Sequence, residues 1–332
     1  MSVKILMTKS FRFVGIASVM HFAVDAICLC ILYIMSETLY IQHVVEVFLT
    51  YNILAFMSQP LTGIVADKIK RLHRILIISL SSFVFAIMIL LLMVNFDFLN
   101  NIFGVFSVAT CAGIGNSLFH VWGAKQTVLK TGNDLRALGL FVSTGALGLA
   151  FAAVLFSWAL LYSLILLFGI CNLVYMSYDN KANLNQFNIN TTDNERHFAK
   201  PNSYVFLIII IAIIAFVCFR SYAGEALTID LNKNSFIVLT LGFIAMIGKI
   251  SGGWLAKNYG VTPTFVTALI IVIACFFLKK TGLIPVFMGV YMINTTMPIT
   301  LYWINLFMKG REAFAFGILA AALIPGYILA HI

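Results

Sequence analysis

With 332 residues, 62% of them hydrophobic and only 10% charged, at a mean hydropathy of +1.02, this chain is far more apolar than a soluble globular protein. Its net charge of +9 is not gathered into one basic patch. The bases fall in the gaps between apolar runs, which excludes a nucleic-acid module and points to membrane topology.

Runs of about 18–25 apolar residues suffice to cross a bilayer as helices. They lie near 13–36, 44–66, 73–95, 100–123, 136–157, 159–178, 203–223, 235–256, 262–279, 283–307 and 313–332, so the expected fold is all-α with eleven spans. The first run is too long for the apolar part of a signal peptide and lacks a small-residue cleavage site, so it reads as a first span. The six cysteines sit inside apolar runs without metal-ligand spacing and read as small buried hydrophobes. No resident metal and no cofactor is expected.

In the first span, His21 and Asp25 are four residues apart and share a helix face. A carboxylate at mid-membrane costs roughly 2.5–3.5 kcal/mol and should face the bundle interior. It raises the proton affinity of a neighbouring imidazole, so the pair can hold and pass a proton; a structural pair that locks helix packing is the alternative. After the second span, the stretch from Gly63 to Arg71 holds an acid, Asp67, among the bases Lys68, Lys70 and Arg71. Topology alone would require only the bases. The fourth span combines small residues (Gly113, Gly115, Ser117) with Asn116 and His120, which permits tight packing around polar groups.

Residues 179–202 are polar, rich in asparagine and without apolar periodicity. They read as a flexible linker between a first bundle of six spans (1–178) and a second of about five (203–332). The second bundle echoes the first: Gly253 and Ala256 match Gly63 and Ala66, while Lys257 stands where Asp67 does. Repeated units of this kind form substrate sites where they meet. Arg220 ends the seventh span, where it can bind an anion, pair with an acid or reach the surface. Asn294, Thr295, Thr296 and Pro298 place polar groups and an expected helix break in the tenth span. The chain ends at Ile332 with the eleventh run, one short of two six-span halves. Most lysines and arginines fall on one side when the N-terminus is placed in the cytoplasm, which sets the expected orientation in a cell (inner or plasma) membrane.

Gly63, Asp67, Lys68 and Arg71 fill the Gly-x-x-x-Asp-Arg/Lys-x-x-Arg/Lys loop signature, so the chain resembles the major facilitator superfamily. The usual glycine before the last base is Lys70 here. Gly113 to His120 is similar to the Gly-x-Gly…Phe-His-Pro segment of the fosmidomycin-resistance-type efflux carriers, with Val121 in place of the proline. His21–Asp25 and Arg220–Ser221 resemble the same group. The resemblance implies two pseudo-symmetric six-helix-type bundles around a cavity, with the last helix missing or truncated. It implies that His120 lines that cavity, for which Asn116, Arg220, Asn294 and Thr295 are the further candidates, with simple interhelical hydrogen bonding the alternative for Asn294 and Thr295. It makes Gly63, Asp67, Lys68 and Arg71 a conformational latch, in which Asp67 meets the N-terminus of the eleventh span. Glu312 then adds a like charge that Arg311 or Lys68 is expected to neutralise.

No phosphate-binding Gly-x-x-x-x-Gly-Lys-Ser/Thr, His-Glu-x-x-His or Gly-x-Ser-x-Gly motif occurs, so the chain is not read as an enzyme. The expected function is secondary transport by alternating access: proton-coupled efflux of a small drug-like or anionic solute by an antiporter acting as a monomer in the bilayer. The rivals are uptake of a nutrient, an intramembrane lipid-modifying enzyme and a non-transporting sensor-like relative.

Overall fold

The computed structural model describes residues 3–38, 44–96, 101–183, 203–231 and 234–332, and among these there are thirteen α-helices and no strand. The first half holds α1 (Val3–Thr38), α2 (Val44–Asn52), α3 (Gln59–Lys68), α4 (His73–Asn95), α5 (Ile102–Thr131), α6 (Leu135–Leu155) and α7 (Trp158–Asn183). The second holds α8 (Ser203–Thr228), α9 (Ser235–Tyr259), α10 (Val261–Leu278), α11 (Leu283–Phe307), α12 (Glu312–Ala321) and α13 (Leu323–Leu329). Together they make eleven segments long and apolar enough to cross a membrane, the architecture of an integral multi-pass membrane protein. The helix α7 continues to Asn183, into the stretch read as linker; the rest of that stretch lies outside the described residues.

Local chemistry sets the helix ends. Asn101 and Asn234 cap α5 and α9, their side chains accepting from the N–H groups of Gly104 and Ile237. Gly132 closes α5 in the left-handed region at φ 63°. The second span is two helices, α2 and α3, joined by a π-helical turn at Ile53–Met57. Pro60 lies just beyond that turn and has no N–H to return to the preceding turn, while Ser58 and Gln59 return their side chains to the carbonyls of Leu54 and Ala55. By contrast α11 runs unbroken through Pro298, so the expected break does not occur. The hydroxyls of Thr295, Thr296 and Thr300 bond the carbonyls of Met292, Ile293 and Met297 and hold the helix around the proline.

The main core lies in the first half, where α1 packs against α5, α6 and α7. The halves meet along two seams, α6 with α9 and α3 with α12. Both depend on a glycine. A Cβ at Gly63 would fall 2.6 Å from the Ala313 carbonyl oxygen and 2.7 Å from Phe314 Cα. A Cβ at Gly253 would fall 3.1 Å from Arg136 Cα. The two glycines that the sequence pairs thus hold corresponding crossings, each at the start of a helix from the other half. The end of the molecule where these crossings lie, with the loops after α3, α5, α9 and α11, is here called its base.

Candidate functional site

Near the middle of α1, His21 and Asp25 face inward and meet His120 of α5; all three are buried. His21 Nδ1 lies 2.7 Å from the carbonyl oxygen of Phe141 on α6. His120 Nδ1 lies 2.9 Å from the carbonyl oxygen of Asn116, one turn earlier on its own helix. A carbonyl only accepts, so each Nδ1 carries the hydrogen, and this assigns the tautomers. Each Nε2 is then a lone pair in the neutral ring. Those two Nε2 atoms are 2.9 Å apart. The Asp25 carboxylate sits beside them, Oδ2 at 3.4 Å from His21 Nε2 and Oδ1 at 3.5 Å from His120 Nε2. Three electron-rich groups thus converge, each within 3.5 Å of the others, an arrangement that can hold a shared proton or a cation.

The surroundings fix this geometry. Asn116 Nδ2 approaches Asp25 Oδ1 and the Tyr51 hydroxyl at 3.3 Å each, while its own Oδ1 is buried and without a hydrogen-bond partner. Gly145 of α6 abuts the cluster: a Cβ there would lie 2.5 Å from His21 Nε2 and against Asp25 Oδ2. Thr144 bonds the Ser18 carbonyl at 2.6 Å and Ser18 bonds the Leu140 carbonyl at 3.1 Å, tying α1 to α6 beside the site. Over the cluster lies Phe316 of α12, stacked on the His120 ring.

The second polar locus is at the base. Asp67 accepts from the N–H groups of Ala313 (3.1 Å) and Phe314 (3.0 Å), two donors left unpaired at the start of α12. Lys125 of α5 reaches Asp67 Oδ1 at 3.3 Å and the Ala66 carbonyl at 3.1 Å. In the sequence Lys125 reads as a topology-setting base; its pairing depends on α5 continuing a further turn or two past the expected end near 123. Lys68 and Arg71 are exposed. Glu312 accepts from the Gly310 N–H at 2.7 Å, and among the described residues no ion pair joins it to Arg311 or Lys68.

The other seam carries the reverse arrangement. Asp134 caps α6 through the Arg136 N–H and is paired with the Arg136 side chain at 2.9 Å. Lys257, the counterpart of Asp67, lies 3.8 Å from Asp134. The acid here belongs to the capped helix itself and the base to the facing one. Arg136 also lies over the rings of Phe11 and Trp254, and Asn133 Nδ2 donates to the Tyr302 carbonyl of α11 at 3.1 Å.

The remaining residues expected in the cavity separate into two groups. Arg220 is buried on α8 and donates to Thr300 Oγ1 at 3.0 Å. No ion pair joins it to a carboxylate among the described residues. Lys249 of α9 lies within electrostatic reach of both Arg220 and Asp25. Asn294 and Thr295 are not brought to the cluster. Asn294 donates to the Val290 carbonyl of its own helix, and both residues pack on the glycine face of α9, where a Cβ at Gly248 would meet Asn294 Cβ at 3.1 Å and one at Gly252 would meet Thr295 Cα at 2.6 Å.

Solved membrane transporters share this fold. The chain is similar to the E. coli fucose:proton symporter (TM-score 0.63, 15% identity, covering 96% of this chain and 90% of that one). It is also similar to a bacterial homologue of the iron transporter ferroportin in an outward-facing state (TM-score 0.58, 14% identity, 96% and 90%). At these identities the likeness is one of fold, the one the loop signature at Gly63–Arg71 leads to expect. No protein-family profile matches the chain, and no curated protein sequence does.

Proposed function

We propose that the chain is a secondary transporter of the major facilitator superfamily that moves a small solute by alternating access and couples the movement to protons at His21, Asp25 and His120. One observation carries this reading: two imidazoles and a carboxylate are buried together beneath a helix of the opposite half. A proton shared between the two Nε2 atoms, with Asp25 as counter-charge, satisfies all three groups. Rearrangement of α12 changes what covers His120, so proton occupancy and the relation of the two halves are linked. An anionic solute accounts for Arg220 and Lys249, two cations of the second half of which Lys249 lies within electrostatic reach of Asp25. Efflux rests on the likeness of Gly113–His120 to the fosmidomycin-resistance-type carriers.

The test is reconstitution in vesicles with an interior pH dye. Addition of a transported anion moves protons in the wild type. Asp25→Asn abolishes that movement while the purified protein keeps its elution volume and melting temperature. Coupled movement at the wild-type rate in this variant removes Asp25 from the coupling role, and the direction of solute movement under an imposed pH gradient decides between efflux and uptake.

A further inference from the structure

The convergence of donors goes beyond what a proton requires. We infer that His21 Nε2, His120 Nε2 and the Asp25 carboxylate form a binding site for one divalent transition-metal ion; this rests on reading the cluster as the place where the protein holds a cation.

Geometry is the first support. Three ligands bound at about 2.0–2.1 Å and at tetrahedral angles stand roughly 3.3–3.4 Å from one another. Here the two Nε2 atoms are 2.9 Å apart, and the Asp25 carboxylate approaches them through its two different oxygens, Oδ2 at 3.4 Å from His21 and Oδ1 at 3.5 Å from His120. One ligand atom from each residue lies within 4.8 Å of the others, and all three residues are buried.

The second support is the outer layer of contacts. Metal-binding imidazoles donate their other N–H to a carbonyl or carboxylate, which fixes the tautomer and aims the lone pair at the ion. Both histidines already do this, His21 to Phe141 and His120 to Asn116. The carboxylate is oriented by Asn116 Nδ2. Gly145 leaves room, because any larger residue would place its Cβ against two of the three donors.

Ligand chemistry sets the class of ion. Two imidazole nitrogens and one carboxylate suit zinc, cobalt(II), iron(II), nickel or manganese. Calcium and magnesium prefer sets of oxygen ligands, which this is not. Three protein ligands leave an open position for water or a bound solute.

The experiment uses the full chain, purified in detergent, stripped with a chelator and titrated with cobalt(II) and then zinc. The expected result is one equivalent of cobalt with the visible absorption of a low-coordinate nitrogen–oxygen site, displaced by zinc. His120→Gln and Asp25→Asn each weaken binding by about tenfold or more. Gly145→Ala, which keeps every ligand and adds a methyl against them, weakens it too, and it decides the matter if a ligand variant does not fold. His331→Gln, an exposed histidine near Tyr327, leaves binding unchanged. Absence of stoichiometric binding, or full binding in all three cluster variants, overturns the site. The vesicle assay separates the two readings: coupled solute movement without metal binding removes the metal site alone, whereas metal binding in a protein that moves neither solute nor protons removes the transport reading alone.

Discussion

Phe316 lies over His120 with ring centroids 6.2 Å apart and planes 23° from parallel. It belongs to α12, just beyond Phe314, whose N–H is bonded to Asp67 at 3.0 Å. One short helix therefore carries both the capped N-terminus at the base and the ring that covers the cluster. Displacing it from Asp67 also uncovers His120.

Asp67→Asn is expected to loosen the seam between α3 and α12. The carboxylate faces a helix N-terminus and Lys125, and an acid in such a partly buried position contributes up to ~2 kcal/mol. One to two kcal/mol changes a two-state ratio by about 5–30-fold. A single cysteine at Thr62, in a background without the native thiols, should label faster from the base side in the variant. Equal labelling rates would reduce Asp67 to a loop charge.

Gly63→Ala should act in the same direction by a different route. The added methyl meets backbone of α12 at 2.6–2.7 Å, and backbone cannot yield as a flexible side chain does. Overpacking of this kind costs about 1–3 kcal/mol. Gly253→Ala is expected to open the α6–α9 seam comparably, because its methyl meets Leu135 and Arg136. Thermal melting and base-side labelling of both variants check this. A Gly63→Ala protein as stable and as closed as the wild type would mean that the crossing is looser than it stands here.

Arg220→Gln is expected to impair anionic solutes selectively. The guanidinium is buried, its one hydrogen bond to a side chain goes to Thr300, and Gln retains a donor for that hydroxyl while removing the charge. A hydrogen bond to a charged group contributes about 1.5–3 kcal/mol, so the apparent KM for an anion should rise about tenfold or more. A neutral analogue should be affected much less. Equal losses for both would make Arg220 a packing residue.

Hydropathy made the spans legible, because a long apolar run in lipid has little choice but a helix. The His21–Asp25 pair was legible because four residues make one helix turn. His120 carried a family likeness, but its meeting with His21 depends on the docking of α5 on α1, which no local pattern records. Lys125 escaped notice because buried and solvated bases look alike in a chain, and here burial follows from α5 continuing through Lys125, Gln126 and Thr127. Asn294 and Thr295 show the converse limit. A polar residue in mid-membrane suggests a site, and a sequence does not show that both of these donate to carbonyls of their own helix.

The α6–α9 seam should respond to acid in a direction that its contacts fix. Burial works to raise the Asp134 carboxyl, but the Arg136 hydrogen bonds, followed by the charges of Arg136 and Lys257, outweigh it and hold the group below its ordinary value of 3.8. A depressed carboxyl stabilises the fold fully above its unfolded value, and that contribution is lost as pH falls through the folded one. Asparagine keeps the capping oxygen and removes only the charge, so Asp134→Asn isolates the electrostatic part. The melting temperature of the wild type should exceed that of Asp134→Asn by a constant margin from neutral pH down to about pH 5, and the margin should shrink only in stronger acid. Lys257→Gln should show a smaller margin, since Lys257 is half exposed and 3.8 Å away. A margin that disappears already near neutral pH would show that a group other than Asp134 governs the seam.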